Sequence, residues 1–353
     1  MSREFRIANK TINDQSDPFV IAEIGHNHMG QLDIAKEMFR VAKEAGADAV
    51  KLQKRNNREL YTQAMYNQPY QHRNSYGKTY GEHREALEFG AAEYQELKAY
   101  AKEIGITFFS TAFDFSSVDF LAELDMPAFK IASGDLTNIP LIKYIAEVGK
   151  PMIISTGGGT MEDVQRAYDA IMPINQQLAI LQCTSGYPAV FEELNLSVIT
   201  TYRQRFPQTV VGWSGHDNGI AMTVAAYILG ARIIEKHFTL NRANKGADHA
   251  FSLEPIGLTK MIRDLRRARI ALGDGVKRPY ESEVAPLSKM GKQIVAAQDI
   301  PAGTVLRREH IALKSPAEGG LAPYELKKII GAVLTLDLKE DDPITFDILN
   351  GMA

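Results

Sequence analysis

From about residue 18 to residue 275, short apolar runs alternate with amphipathic stretches, and that alternation restricts the fold more than any other feature. The apolar runs are Phe19–Ile24, Ala49–Gln53, Thr107–Thr111, Ala128–Ala132, Met152–Ser155, Leu178–Cys183, Val210–Trp213 and Arg232–His237. Helical patterns lie between them, among them Leu32–Ala45, Ala92–Ile104, Ser117–Leu124, Leu141–Glu147, Met161–Ile171 and Ala221–Leu229. Strands this short and apolar are covered on both faces, as in a parallel sheet. Eight is the closure number of the (β/α)8 TIM barrel, whose usual length of roughly 250 residues fits. An open doubly wound sheet competes, but no run carries a GxGxxG turn, and the glycines at 157–159 have the wrong spacing. The expected fold class is therefore α/β, a (β/α)8 barrel over residues 1–275.

The alternation breaks near residue 275. Residues 276–291 read as a linker, with proline, glycine and mixed charge. Residues 292–353 show short strands with frequent turns, a small β-rich domain. Residues 54–91 form a long polar connection rich in Tyr, His and Arg; the aromatic content favours an ordered active-site loop. A net charge of −3 gives no bulk electrostatic case for nucleic acid or an anionic membrane. The single cysteine, Cys183, excludes an intrachain disulfide framework and fits a reducing cytoplasm. The polar N-terminus does not read as a signal peptide, and no stretch approaches the ~20 apolar residues of a membrane span.

Strand ends are where an α/β barrel places its chemistry. The first closes with Glu23, Asn27 and His28; Asn27 could equally cap a helix. Lys51 and Lys130 lie inside apolar strands, where a lysine is rarely neutral packing. Each alone could pair with a core acid, but two in one barrel point to an anionic ligand such as phosphate. Ser133, Asp135 and Asn138 follow Lys130, and Ser155, Thr184, Ser185, Tyr187 and Ser214 supply further donors at later strand ends. His216 and His237 close the last two strands. Either could be a hydrogen-bonded core histidine. Together they could hold one water-rich divalent metal, Mn2+ or Mg2+ rather than structural zinc, with Asp217 orienting an imidazole.

IAEIGHNHMG, AVKLQK, SYGKTYGEHREALEF, FKIASGD, ISTGG, LQCTSGYP, VVGWSGHD, EKHFT and KGADHAFSLEP resemble, in order, the motifs of the sialic acid synthases. IVAAQDIPAGTVL onward resembles their antifreeze-like SAF domain. The match spans residues 18–350 and looks closest to the branch with 9-phosphorylated products.

The resemblance implies condensation of phosphoenolpyruvate with an N-acylmannosamine, its 6-phosphate, or mannose 6-phosphate. It implies metal ligation by His216 and His237, and phosphoenolpyruvate contacts at Lys51, Lys130, Ser133, Ser185 and Ser214. Catalytic and sugar-binding roles fall on Glu23, Tyr187 and Asp248, with Asp135 in the place of an acid after the Ser-Gly pair. Ser185 stands where some members have asparagine. Ser315 stands where many have a sugar-binding arginine, with Lys314 a possible substitute. A homodimer with exchanged C-terminal domains is implied as well. Arg73, Lys78, His83 and Arg84 in the long loop could hold an acceptor phosphate, or simply form a solvated surface. The competing functions are a Schiff-base aldolase using Lys130 or Lys51, and a non-catalytic carbohydrate-binding protein.

Overall fold

The computed structural model describes residues 3–351. The chain divides into two compact units, one ending at Gly273 and the other starting at Asp274. In the first, strands β1 (Glu4–Ile7) and β2 (Lys10–Asn13) form an antiparallel hairpin. Eight strands then close a parallel barrel: β3 (Phe19–Gly25), β4 (Ala49–Lys54), β5 (Thr107–Ala112), β6 (Phe129–Ile131), β7 (Met152–Ser155), β8 (Leu178–Cys183), β9 (Val210–Gly215) and β10 (Ile233–His237). Neighbours follow chain order, and β10 pairs with β3 to complete the ring. The expected barrel is the observed one.

Period two explains both surfaces of this sheet. Val20, Ala22, Ile24, Val50 and Leu52 face out and pack against helical residues such as Met38, Phe39 and Leu97. Helix Leu32–Ala45 supplies Ala35, Met38, Phe39 and Ala42, one apolar stripe at helical spacing, and ends on the left-handed Gly46. Ile21, Ala49, Phe109, Ala128, Ile153, Leu181 and Ile233 face in and share a cluster with Phe5, Ile7 and Ile12 of the hairpin. That hairpin, absent from the sequence reading, fills the barrel's lower lumen. Fully burying each such large side chain contributes roughly 1.5–3 kcal/mol.

Helices Val198–Arg205 and Pro255–Leu272 join those read from the pattern. The long connection is ordered: it holds short helices Asn57–Leu60, Gln63–Tyr66 and Tyr80–Glu85. Tyr61 and Tyr70 pack edge-on against Tyr80, at 5.1 and 5.3 Å. Gly30 fastens this loop to the first strand turn, because a Cβ there would lie 2.3 Å from the Ala86 carbonyl.

The second unit is built on antiparallel pairing of Gln293–Ala296 with Ile311–Lys314 around a core that includes Ile294, Leu306, Ile329 and Ile344. Residues 276–291, read as a linker, have regular structure of their own. They contain helix Glu281–Met290, which opens with a capping arrangement and tolerates Pro286 inside it. Among the described residues, no helix is long and apolar enough to cross a membrane.

Candidate active site

One inward residue per strand forms a ring at the C-terminal ends: Glu23, Lys51, Thr111, Lys130, Ser155, Cys183, Ser214 and Glu235. All of them line a narrow chamber of about 50 Å³. Register brings the ring's acids and bases together. Glu23 and Lys51 are directly paired across β3 and β4, and Lys51 Nζ lies 2.7 Å from Glu23 Oε2. Lys51 also donates to Thr111 Oγ1 at 2.9 Å. Lys130 donates to Ser155 Oγ at 2.6 Å and to the Ile131 carbonyl at 3.0 Å. Glu235 sits between the lysines, 3.8 Å from Lys51 and 3.9 Å from Lys130, and accepts from Ser214 Oγ at 3.0 Å. Both lysines therefore have core acids as neighbours and still line an open chamber.

The ring carries two ammonium groups against two carboxylates. Burial raises the Glu23 pKa, reinforced by Glu235 and opposed by Lys51. Burial also acts to raise Glu235, but Lys130, Lys51 and the Ser214 hydroxyl outweigh it and hold that carboxyl down at about 2. Lys130 is lowered by burial, with Lys51 adding to the effect and Glu235 resisting it. Pairs of titratable groups pushed apart in this way are a mark of acid–base sites.

Above the chamber lies a larger cavity of about 460 Å³; its wall includes His26, Asn27, Arg55, Arg84, Tyr187, His237 and Asp248. The two spaces share Gln53, Phe113, Ala132, Tyr187 and His237 and so adjoin. His216 and His237 meet near this junction with ring centroids 5.3 Å apart. His216 Nδ1 must carry its proton, because it donates to the Thr184 carbonyl at 2.8 Å, which leaves Nε2 as a free lone pair. His237 Nδ1 is buried without a hydrogen-bond partner, 3.8 Å from Asp248 Oδ2. Burial lowers the His237 pKa and keeps the ring neutral, as a ligand requires. Among the described residues no group of three or more His, Cys, Asp or Glu is placed to hold a metal. The donor set therefore fits a two-nitrogen site completed by oxygen from water or substrate.

The remaining sequence candidates separate by location. Ser133 accepts from the Gly157 amide at 2.9 Å. A Cβ at Gly157 would lie 2.1 Å from Ser185 Oγ and 2.9 Å from Ser133 Oγ, so glycine lets these hydroxyls and the backbone converge. Tyr187 packs against His216 with centroids 4.3 Å apart and the rings tilted by 44°. Thr184 acts through its carbonyl, since its hydroxyl donates to the Glu193 carbonyl at 2.9 Å.

Asp135 and Asn138 are directed elsewhere. Asn138 caps helix Ile139–Glu147 and donates to Asp135 at 3.1 Å, and neither lines the chamber or the cavity. Asp217 does not orient His216; neighbouring residues on a strand end point apart, and its carboxylate takes Lys236 Nζ at 3.0 Å. His28 is structural, stacked on Phe89 at 4.1 Å. Asn27 is not a cap; it donates to the Phe238 carbonyl and to Ser252. Arg73 and Lys78 are exposed and off the cavity wall, whereas His83 and Arg84 lie on it. Lys314, in the second unit, is ion-paired with Asp341 and Glu340.

Sequence reasoning passed over Gln53, Arg55, His26 and Thr111, and gave Glu235 no role. Gln53 and Arg55 continue the inward column of Lys51 at intervals of two, a signal that was available. Gln53 donates to Glu23 Oε1 at 2.7 Å.

The NeuB family model matches residues 38–277, and the SAF domain model matches residues 292–349. The human N-acetylneuraminate-9-phosphate synthase is 41% identical, covering 96% of this chain and 94% of its own length. The N,N'-diacetyllegionaminic acid synthase of Legionella pneumophila is 36% identical over 91% of each. Among solved structures, a Leptospira borgpetersenii N-acetylneuraminic acid (sialic acid) synthetase in complex with citrate superposes with a TM-score of 0.71. It is 32% identical, covering 81% of this chain and 95% of that one.

Proposed function

This chain belongs to the NeuB family, and from that premise we propose that its barrel condenses phosphoenolpyruvate with an open-chain N-acylmannosamine, preferentially the 6-phosphate. The products are a sialic acid (9-phosphate) and inorganic phosphate. The observation that carries this reading is the ionic ring of Lys51, Lys130, Glu23 and Glu235 in a chamber beneath a sugar-sized cavity.

Lys51 and Lys130 hold the phosphate and carboxylate of phosphoenolpyruvate, with Ser133, Ser155, Ser185 and Ser214 adding donors. Glu235, ionised between the lysines, keeps both ammonium groups in place. Tyr187 and Asp248 face the acceptor sugar. A divalent cation, Mn2+ or Mg2+, held by His216 and His237 would polarise the sugar aldehyde. Carbon 3 of phosphoenolpyruvate attacks that aldehyde, forming the C–C bond and leaving cationic character at carbon 2. Water adds to carbon 2 as Glu23 takes one of its protons and relays it to the sugar oxygen. The C2–O bond to phosphorus then breaks; phosphate leaves with the other proton as the ketone forms. Fixing both substrates converts a bimolecular step into a unimolecular one.

The same reading extends to a homodimer with exchanged C-terminal domains in the cytoplasm; sedimentation at twice the chain mass checks the first part. The catalytic reading is tested by phosphate release from phosphoenolpyruvate with N-acetylmannosamine, its 6-phosphate or mannose 6-phosphate, each with and without chelator. Release should require an acceptor and a metal, with the highest kcat/KM for N-acetylmannosamine 6-phosphate. Full turnover in excess chelator removes the metal, and covalent trapping of pyruvate by borohydride replaces this chemistry with a lysine Schiff base.

A further inference from the structure

Two guanidinium groups on the outer cavity wall are short of acids: Arg84 has no carboxylate in ion-pair reach among the described residues, and Arg55 has only a distant, shared one. Arg84 donates to Tyr80 Oη at 3.0 and 2.7 Å, and its third contact is His26 Nδ1 at 3.4 Å. Among the described residues no carboxylate lies within 4.0 Å of it. Arg55 is buried and stacked 3.8 Å over Phe113; it donates to Gln53 Oε1 at 2.6 Å and contacts His26 Nε2 at 3.1 Å. Its nearest acid, Glu88, has Oε1 3.9 Å from Arg55 and 3.4 Å from His26 Nε2, while Oε2 takes Lys54 at 3.4 Å and the Arg55 amide at 3.2 Å, so this one carboxylate is shared among three cationic or N–H neighbours. Asp248, the one acid on the cavity wall, lies beside His237.

His26 sharpens the imbalance. A neutral imidazole has one N–H and one lone pair, and an arginine faces each nitrogen. With Nε2 protonated toward Glu88 Oε1 at 3.4 Å, Nδ1 accepts from Arg84 and an Arg55 N–H is left facing an N–H; with Nδ1 protonated, the mismatch moves to Arg84. Partly desolvated cations left short of neutralising charge are costly, and a bound anion removes that cost. A phosphate dianion offers enough oxygen acceptors for both planar forks.

We propose that Arg55 and Arg84, bridged by His26, are the seat of the acceptor's phosphate and set the preference between phosphorylated and free sugar. This rests on the synthase reading above. Neither arginine lines the inner chamber, so this seat is separate from the lysines assigned to phosphoenolpyruvate. The exposed Arg73 and Lys78 have no part in it.

The test is the ratio of kcat/KM for N-acetylmannosamine 6-phosphate to that for N-acetylmannosamine, with KM for phosphoenolpyruvate measured in parallel. Arg84→Ala should lower the ratio about 30-fold, the loss of a charge-assisted contact. Arg84→Lys should recover part of it, and Arg55→Lys should lower it in the same direction. A wild-type preference that survives all three variants overturns the seat and leaves the synthase reading standing. A KM for phosphoenolpyruvate that rises while the ratio holds assigns the arginines to the other substrate and also overturns it. Condensation with no wild-type preference for the phosphorylated sugar overturns both the seat and the choice of acceptor, but not the condensation. No condensation with any acceptor overturns the synthase reading itself, and the seat with it.

Discussion

The lower and upper halves of the barrel lumen are built by the same strands and serve opposite ends. Two residues before each ring member lie Ile21, Ala49, Phe109, Ala128, Ile153, Leu181, Gly212 and Ile233, all buried. Gly212 belongs to this apolar layer because a Cβ there would meet Leu181 Cδ2 at 2.3 Å. One pleat higher, every position but Cys183 carries a hydroxyl or a charge. Burial below contributes stability, whereas burial above opposes it, since the ions remain only as partners of one another. The fold thus supports a dry base on which a costly ionic layer can be held for ligand binding.

That contrast can be broken from either side. The largest expected effect is at the upper layer. Lys130→Met should lower kcat/KM by about 10³-fold or more, while leaving Glu235 short of one neutralising charge. The same variant should destabilise by about 3 kcal/mol in denaturant unfolding, because one partner of a buried ion cluster is lost. Lys130→Met with wild-type turnover would place the chemistry elsewhere.

At the lower layer Phe109→Ala should show the opposite signature. A loss of about 3–5 kcal/mol is expected in stability, with kcat/KM of the folded protein within about threefold of wild type. Equal damage to turnover and stability would mean that the halves are not separable.

Gly157→Ala tests the junction of hydroxyls against which the chamber closes. Its new methyl must displace Ser185 or Ser133, so KM for phosphoenolpyruvate should rise about tenfold, or 1.4 kcal/mol. An unchanged KM would remove those serines from the phosphate contact.

The pH profile gives a smaller effect of defined sign. A raised Glu23 pKa means that the carboxylate proposed to activate water is lost on acidification earlier than an ordinary glutamate would be. The acidic limb of kcat/KM should therefore lie above 4.5, the ordinary glutamate value, with activity falling as pH drops through it. A limb at or below that value would contradict the assignment. Least of all, Arg73→Ala and Lys78→Ala should each change kcat/KM by under about twofold, as surface substitutions do.

The fold was legible because each barrel strand is a short apolar run and several helices begin or end on a recognisable cap. Met161–Ile171, entered through Thr160 and Asp163, has in the structure the same two ends that the sequence pattern gives it. The hairpin β1–β2 was not, since its strands are short and carry charged residues between the three that plug the lumen. In the site, strand-end position and period two found Lys51, Lys130, Glu23, His216 and His237. What sequence could not supply was register. Glu23 meets Lys51, and Glu235 reaches both lysines, only after strands from distant parts of the chain align. Asp217 shows the reverse, for adjacency to His216 in sequence placed it on the other face. Arg55 escaped because its setting is assembled from a strand end, a loop helix and the turn after β3, whereas Arg84 was already legible among the cations of the long loop.

Isotope transfer tests the central claim most directly. Phosphoenolpyruvate labelled with 18O at the bridging oxygen is turned over with N-acetylmannosamine 6-phosphate, and both products are weighed by mass spectrometry. Water attack at carbon 2 over the lysine ring predicts that the label leaves with inorganic phosphate and that the sugar acid carries oxygen from solvent. Label retained in the sugar acid would show that the P–O bond breaks instead and would contradict the account.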